Sequence, residues 1–398
     1  MKLNKTMIAV ALGLSVASLS SAETIYLTGS TAMRSTIYAE LTNAGTVFQS
    51  QPVFTGWGGK AGGDTYMAFY GILNGGSGNT TINCFWSGSE AGLLAVASNT
   101  VTALEPNFMD QSLVQTSSSV DNSAGTPTTL TPEPANLCMA DNAQSFSRTT
   151  VPSLSGTEVG VITFKWVRNP GTWTGTNVTD SQILQALTGQ GPGLGGAKQA
   201  VFDGNAADTN NYVYVCGRDT SSGTRVNALG DCGYGILTPV NQIELSGGVM
   251  QILATSTNRF GVITTNYCGN FGFSSGGTLA GTLGSPTTGS SDLVHTNLTG
   301  FSVIAYLGTS DATTATNDGA TQLTYDGIPF STNNIMEGTY SFWGNEYIYP
   351  ALNDDATALQ VYSLISTNTP AFCDGSIAIA LPAMHSTRGG PTTFPVHN

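Results

Sequence analysis

Three times in this chain a short apolar run ends in a turn of glycine and hydroxyl side chains, and each turn opens into a helical pattern. Ile25-Tyr26-Leu27 runs into "TGST" and then "AMRSTIYAEL", where Met33, Ile37 and Leu41 recur every four residues on one helical face. Ile82, Cys84 and Trp86 alternate as a strand does, and "SGSEAG" leads from them into the apolar run Ala91–Ala97. "YVYVC" (212–216) feeds "GRDTSSGTR", beyond which Val226–Leu229 can begin a helix. Strand, turn, helix, repeated at no fixed period, predicts α/β architecture rather than a solenoid or a sandwich.

Other segments extend the pattern. "EVGVITFKWVRNPG" (158–171) is the strongest strand signal, "DSQILQALTGQG" (180–191) a helix with a glycine stop, and "LQVYSLIST" a late helix. "DTYMAFYGIL" (64–73) has apolar residues at helical spacing and is expected to be helical. "ANLCMADNAQS" gives a short apolar run ending at Asp141, and "FGVIT" reads as buried. Residues 100–135, rich in Ser, Thr, Pro and Asn, read as a long surface excursion, and 274–290 as a loop.

The N-terminus carries a different signal. Lys2 and Lys5 precede the apolar run Met7–Val16, and Ser20-Ser21-Ala22 supplies small residues before Glu23. That order reads as a cleaved export signal over residues 1–22. The apolar run is shorter than the ~20 residues a bilayer span needs. The expected location is therefore periplasmic or extracellular. Removing residues 1–22 leaves ten basic residues against 25 acidic ones, a formal charge near −15. Such a charge argues against nucleic acid as a partner. An anion would have to be held by local geometry.

The six cysteines, Cys84, Cys138, Cys216, Cys232, Cys268 and Cys373, include no CxxC pair. In an exported chain an even count permits three disulfides, and Cys216–Cys232 closes the shortest loop. His295, His385 and His397 lie in polar, turn-rich surroundings without HxH or HExxH spacing and read as surface residues. No metal or cofactor is expected.

The turns themselves suggest what the chain does. Only 9% of it is charged, yet residues 218–225 hold two arginines, an aspartate and four hydroxyl side chains around Gly223. A turn at the N-terminus of a helix points backbone N–H groups outward and suits a tetrahedral oxyanion. Gly223 allows close backbone approach, Ser222 and Thr224 can donate, and Arg218 can offer a two-pronged contact. Thr28, Gly29, Ser30 and Thr31 repeat that logic, as do Ser87 and Ser89. Each turn alone is also compatible with a simple hydroxyl N-cap. Asp141 beside an anion makes sense if the anion keeps a proton, as hydrogen phosphate does; the aspartate then accepts that proton's hydrogen bond, whereas a fully deprotonated anion would face an unpaired buried charge.

Taken in order, "TGSTA", "SGSEAG", "MAD" and "GRDTSSGTR" resemble the ligand loops of PstS-like phosphate-binding proteins, the type II periplasmic solute-binding proteins of ABC transporters. "FKWVRNPGTWTGTNVTDSQILQALTGQG" and "EGTYSFWGNEYIYP" resemble further segments of the family. The resemblance implies a two-lobed α/β fold with a hinge and an interdomain cleft. The first lobe would comprise residues 23–160 plus 340–398, the second residues 161–339. It also implies ligand contacts from Thr28, Ser30, Thr31, Ser89, Asp141, Arg218, Ser222, Gly223 and Thr224. Phosphate or a similar oxyanion would be the ligand and an ABC permease in the inner membrane the partner. The chain would act as a monomer, with no catalytic residue. Two positions depart from the family pattern: Ala140 stands where a serine is usual, and Glu90 sits next to the supposed anion site.

Two alternatives come from other classes. "GFSSG" (272–276) fits the Gly-x-Ser-x-Gly pattern, with Ser274 as nucleophile and His385 downstream, although neither its preceding strand nor its following helix is evident from sequence. The low charge and the Ser/Thr/Asn-rich excursion would also suit a surface or adhesive protein that keeps the fold without the ligand. The aromatics of "YSFWGNEYIY" are expected to pack in the core and hinge rather than line a sugar site.

Overall fold

The computed structural model describes residues 22–397 apart from 99–105, 124, 194, 254, 258–262, 266–271, 288–294 and 296–298. Residues 1–21 of the expected export signal, Cys268 and most of "FGVIT" thus lie outside the described residues.

The architecture is α/β. In chain order its principal elements are β1 (Glu23–Gly29), α1 (Arg34–Thr42), β2 (Val53–Trp57), β3 (Tyr66–Ile72), β4 (Asn79–Phe85) and α2 (Ser89–Ser98), then β5 (Leu137–Ala140), β6 (Thr157–Arg168) and α3 (Asp180–Gly193). They continue through β7 (Asn211–Cys216), α4 (Gly223–Asp231), α5 (Gly276–Leu283), β8 (Gly300–Gly308), α6 (Thr309–Asn317), β9 (Trp343–Pro350) and α7 (Ala356–Asn368). The long strands form one sheet in the order β7-β8-β6-β9-β5-β1-β4-β3-β2. β1 runs parallel to both β4 and β5, and β7 parallel to β8.

Two strands join the ends of this sheet. The first half of β6 pairs with β9, Thr163 opposite Trp343, and its last residues pair with β8, Arg168 opposite Ile304. β9 then pairs with β5, Tyr347 opposite Ala140. The fold is accordingly two-lobed, with β1–β5 on one side, β7 and β8 on the other, and β6 and β9 running between them. The joining strands are stiffened by aromatics: Trp166 stacks on Phe342 at 5.5 Å and Trp343 is 1% exposed. Of the "YSFWGNEYIY" aromatics, Tyr340, Phe342, Trp343 and Tyr349 are thus core residues, as expected, while Tyr347 is half-buried.

Segment 64–73 is not helical. It carries β3, paired antiparallel with β2 and β4. Met67 and Phe69 enter one apolar cluster and Tyr66 and Ala68 another, so both faces of the strand are covered. A strand buried on both faces loses polar alternation and reads as a continuous apolar run.

The 274–290 loop also needs correcting, because α5 occupies Gly276–Leu283. Ser275 Oγ caps it by accepting from Thr278 N at 3.1 Å, and Leu279 and Leu283 are buried beneath a glycine-rich sequence that masks their spacing. The 100–135 excursion is partly ordered into strands: 107–109 pairs with 130–132, and 120–122 joins the free edge of β2.

The disulfide expectation fails for the favoured pair. Cys84, Cys138, Cys216, Cys232 and Cys373 are free thiols. Cys216 sits at the end of β7 in one apolar cluster, its Sγ on Ile243 O, whereas Cys232 follows α4 in another. Proximity in sequence does not bring those two faces together.

Candidate functional site

The first turn is built where β1 ends. Gly29 has φ +116°, and a Cβ there would lie 2.0 Å from Met139 O, so the turn needs glycine. Thr28 is buried behind it. Its hydroxyl donates to Phe85 O at 2.7 Å and lies 2.6 Å from Ser87 Oγ. Ser30 N donates to Met139 O at 2.8 Å, and Ser30 Oγ accepts from Met33 N at 3.1 Å. Thr31 points elsewhere: with Arg34, Ser35, Gly62, Gly63 and Ser310 it lines a cavity of about 230 Å³ at the start of α1 and α6.

Ser89 opens α2 and is buried; its Oγ accepts from Asp141 N at 3.0 Å. Asp141 follows β5 and is 2% exposed. Its carbonyl accepts from Asn227 Nδ2 at 3.0 Å, and its Oδ2 faces Thr224 Oγ1 at 3.4 Å. Its Oδ1 is buried without a hydrogen-bond partner. Burial pushes the Asp141 carboxyl above its usual pKa, while Ser30, Glu346, Ser89 and the charge of Arg218 oppose that rise.

From the other lobe come Arg218 and the N-terminus of α4. Arg218 is 2% exposed. Its Nε donates to Phe273 O at 3.2 Å and its Nη2 to Ser274 O at 3.1 Å, while its backbone N donates to Tyr306 Oη at 3.1 Å. Ser222 caps α4, its Oγ accepting from Arg225 N at 3.2 Å. Gly223 is where the lobes touch. A Cβ on it would lie 2.4 Å from Ser89 Oγ and 2.9 Å from Asp141 Cβ. Only a glycine fits at that contact.

Of the nine residues the sequence singled out, Ser30, Ser89, Asp141, Arg218, Gly223 and Thr224 therefore gather from four separate stretches of chain around one buried point. Ser222 stands beside them as a cap, Thr28 lies one layer behind, and Thr31 lines a cavity that Ser310 closes from the other lobe. Two helix N-termini, those of α2 and α4, meet there with their partial positive charge.

Glu90 turns away from this point. Its carboxylate accepts from Asn142 Nδ2 at 3.1 Å, Ser147 Oγ at 3.0 Å and Arg148 N at 2.8 Å. Its role is to anchor the 142–148 loop. The backbone N of Glu90 meanwhile donates to Ser221 O at 3.0 Å, a further tie between the lobes.

Two residues escaped the sequence reading. Asn227 lies one turn beyond Gly223, and its Nδ2 also reaches Gly223 O at 3.0 Å, a spacing that the α4 pattern could have revealed. Glu346 is a lone acid in an aromatic strand, and it is fully buried beside Asp141. Its charge among apolar neighbours was the signal.

The hydrolase pattern fares differently. A helix does follow Ser274, but the carbonyl of Ser274 is held by Arg218. His385 Nδ1 lies 2.6 Å from Glu337, and His295 stacks on Tyr212. No described contact links either histidine to Ser274.

No family model matches the sequence. Nor does any curated protein. Solved structures are similar over most of the chain, at low identity. A substrate-binding protein of a phosphate ABC transporter from Clostridium perfringens, with bound phosphate, is 11% identical over 90% of this chain and 100% of its own, with a TM-score of 0.48. An ABC-type phosphate transport receptor from Vibrio cholerae is 11% identical over 89% and 99%, TM-score 0.44. PstS from Borrelia burgdorferi is 11% identical over 90% and 98%, TM-score 0.39. No helix among the described residues is long and apolar enough to cross a membrane.

Proposed function

We propose that this protein is an exported solute-binding protein that captures a tetrahedral oxyanion, phosphate first, in the cleft between its lobes and delivers it, as a monomer, to an ABC permease in the inner membrane. The lobes are residues 23–160 plus 340–398 and residues 161–339, and β6 and β9 form the hinge. No bond is made or broken. The observation that carries the reading is the meeting of Ser89 and Asp141 with Gly223, Thr224 and Arg218 across the cleft, at two helix N-termini. Hydroxyls, backbone N–H groups and one arginine supply donors, and Asp141 supplies the acceptor that reads a ligand proton.

In the closed arrangement Thr224 and Ser89 bond to Asp141 directly. Ligand entry therefore parts the lobes, and on re-closure the anion takes up the bridge from Thr224 to Asp141 while Gly223 returns against Ser89. The same direct bonding suits a second reading, a surface protein whose cleft residues now satisfy one another. Thermal-shift titration with phosphate, sulfate, molybdate and phosphonates separates the two. A melting point that rises with phosphate concentration supports capture; no shift with any of these anions overturns it in favour of the second reading.

A further inference from the structure

We infer that Glu346 and Asp141 hold one proton between them, and that Glu346 is thereby a specificity-determining residue of the cleft. The first ground is register. In the β9–β5 pair Tyr347 stands opposite Ala140, which sets Glu346 against Asp141 at the next position. β9 is irregular at Glu346/Tyr347 in its pairing with β6, a bulge of the kind that re-aims a side chain beside a site.

The second ground is satisfaction. Glu346 is fully buried and Asp141 is 2% exposed. Glu346 Oε1, Glu346 Oε2 and Asp141 Oδ1 are all buried without a hydrogen-bond partner. Three acceptor oxygens in one place, on two side chains, cannot satisfy one another as carboxylates. One proton pairs two of the three, because a neutral Glu346 carboxyl donates from one oxygen while Asp141 Oδ1 stays an acceptor. Burial and the facing charge of Asp141 both push the Glu346 pKa well up, so the proton rests on Glu346.

Other groups face the pair from each neighbouring element. Arg218 is the cation among them, and Ser30, Ser89 and Thr224 supply hydroxyls. Cys138, Cys373 and Tyr349 lie within electrostatic range of Glu346, and burial keeps all three protonated. Glu90 faces the 142–148 loop.

With the proton in place the pair carries one negative charge, which Arg218 balances. Asp141 then accepts from a protonated oxyanion. Were Glu346 ionised, the cleft would present two negative charges to an anion and reject it. This consequence for selectivity rests on the proposed oxyanion reading; the shared proton does not.

Infrared difference spectroscopy on the full-length mature protein, without ligand, tests the proton directly. At neutral pH the wild type should show a buried carboxylic-acid C=O stretch that Glu346→Gln removes and Asp141→Asn shifts. A spectrum in which neither variant alters any carboxylic-acid band overturns the inference, whatever phosphate does. Phosphate titration then reads the consequence. Wild-type affinity should fall at least about tenfold from neutral pH to alkaline pH at which phosphate still carries its last proton, with Glu346→Gln holding its neutral-pH affinity over that range. Equal pH profiles for the two proteins would overturn the specificity role. Absence of phosphate binding in both at every pH would overturn the oxyanion reading and, with it, that role, while the infrared bands still decide the proton.

Discussion

Replacing Gly223 with alanine adds one methyl group where the lobes meet. The new Cβ would lie 2.4 Å from Ser89 Oγ, 2.7 Å from Ser89 Cβ and 2.9 Å from Asp141 Cβ. All three distances are below carbon contact, so the lobes must shift apart. Overpacking of this size costs about 1–3 kcal/mol. Gly223 is the first residue of α4 and alanine is the better helix former, so the lobe carrying α4 should not itself be weakened. The cost falls on closure. If closure traps the ligand, affinity drops by roughly 5- to 150-fold. Calorimetric titration of phosphate measures that drop, and small-angle scattering without ligand should show a larger radius of gyration. Unchanged affinity together with unchanged dimensions in Gly223→Ala would refute the claim that this contact closes the cleft.

Other expectations follow from single residues. Arg218→Ala should weaken phosphate binding at least about tenfold, the scale of one charge-assisted contact; calorimetry giving wild-type affinity would remove its role. Glu90→Gln should lower the melting point by weakening the anchor of the 142–148 loop yet leave phosphate affinity within about threefold, because its carboxylate makes none of the cleft contacts. Glu40 is fully buried with Thr369 Oγ1 2.7 Å away, and burial raises its pKa from 4.5 to about 8. Its stabilising contribution is complete below pH 4.5 and is lost as pH rises toward 8, so denaturant melts should show Glu40→Gln removing a slope of about 1.4 kcal/mol per pH unit. Thiol titration of unfolded, unreduced protein should find at least the five free cysteines, and reductant should leave the melting point unmoved.

The strand–turn–helix units were legible because their signal is local. Met33, Ile37 and Leu41 announce the buried face of α1, and all three are fully buried. Tyr66–Ile72 was misread because burial on both faces erases alternation, which only the sheet order explains. Residues 276–283 were misread because glycine hides a helix whose support is tertiary. At the cleft, the hydroxyl turns were readable from composition and order. Which of their members meet was not: Thr31 and Ser30 are neighbours in sequence yet face different spaces. Glu346 could not be placed beside Asp141 without the register of two strands 205 residues apart in the chain, as the bond from Gln144 N to Tyr349 Oη also illustrates.

Isothermal titration of phosphate into the purified mature protein tests the central claim most directly. The account predicts saturable binding at one site, micromolar or tighter given several hydrogen bonds at about 1.5–3 kcal/mol each less the cost of closure. Titration that yields no binding heat at any temperature, with no rise in melting point, would contradict it.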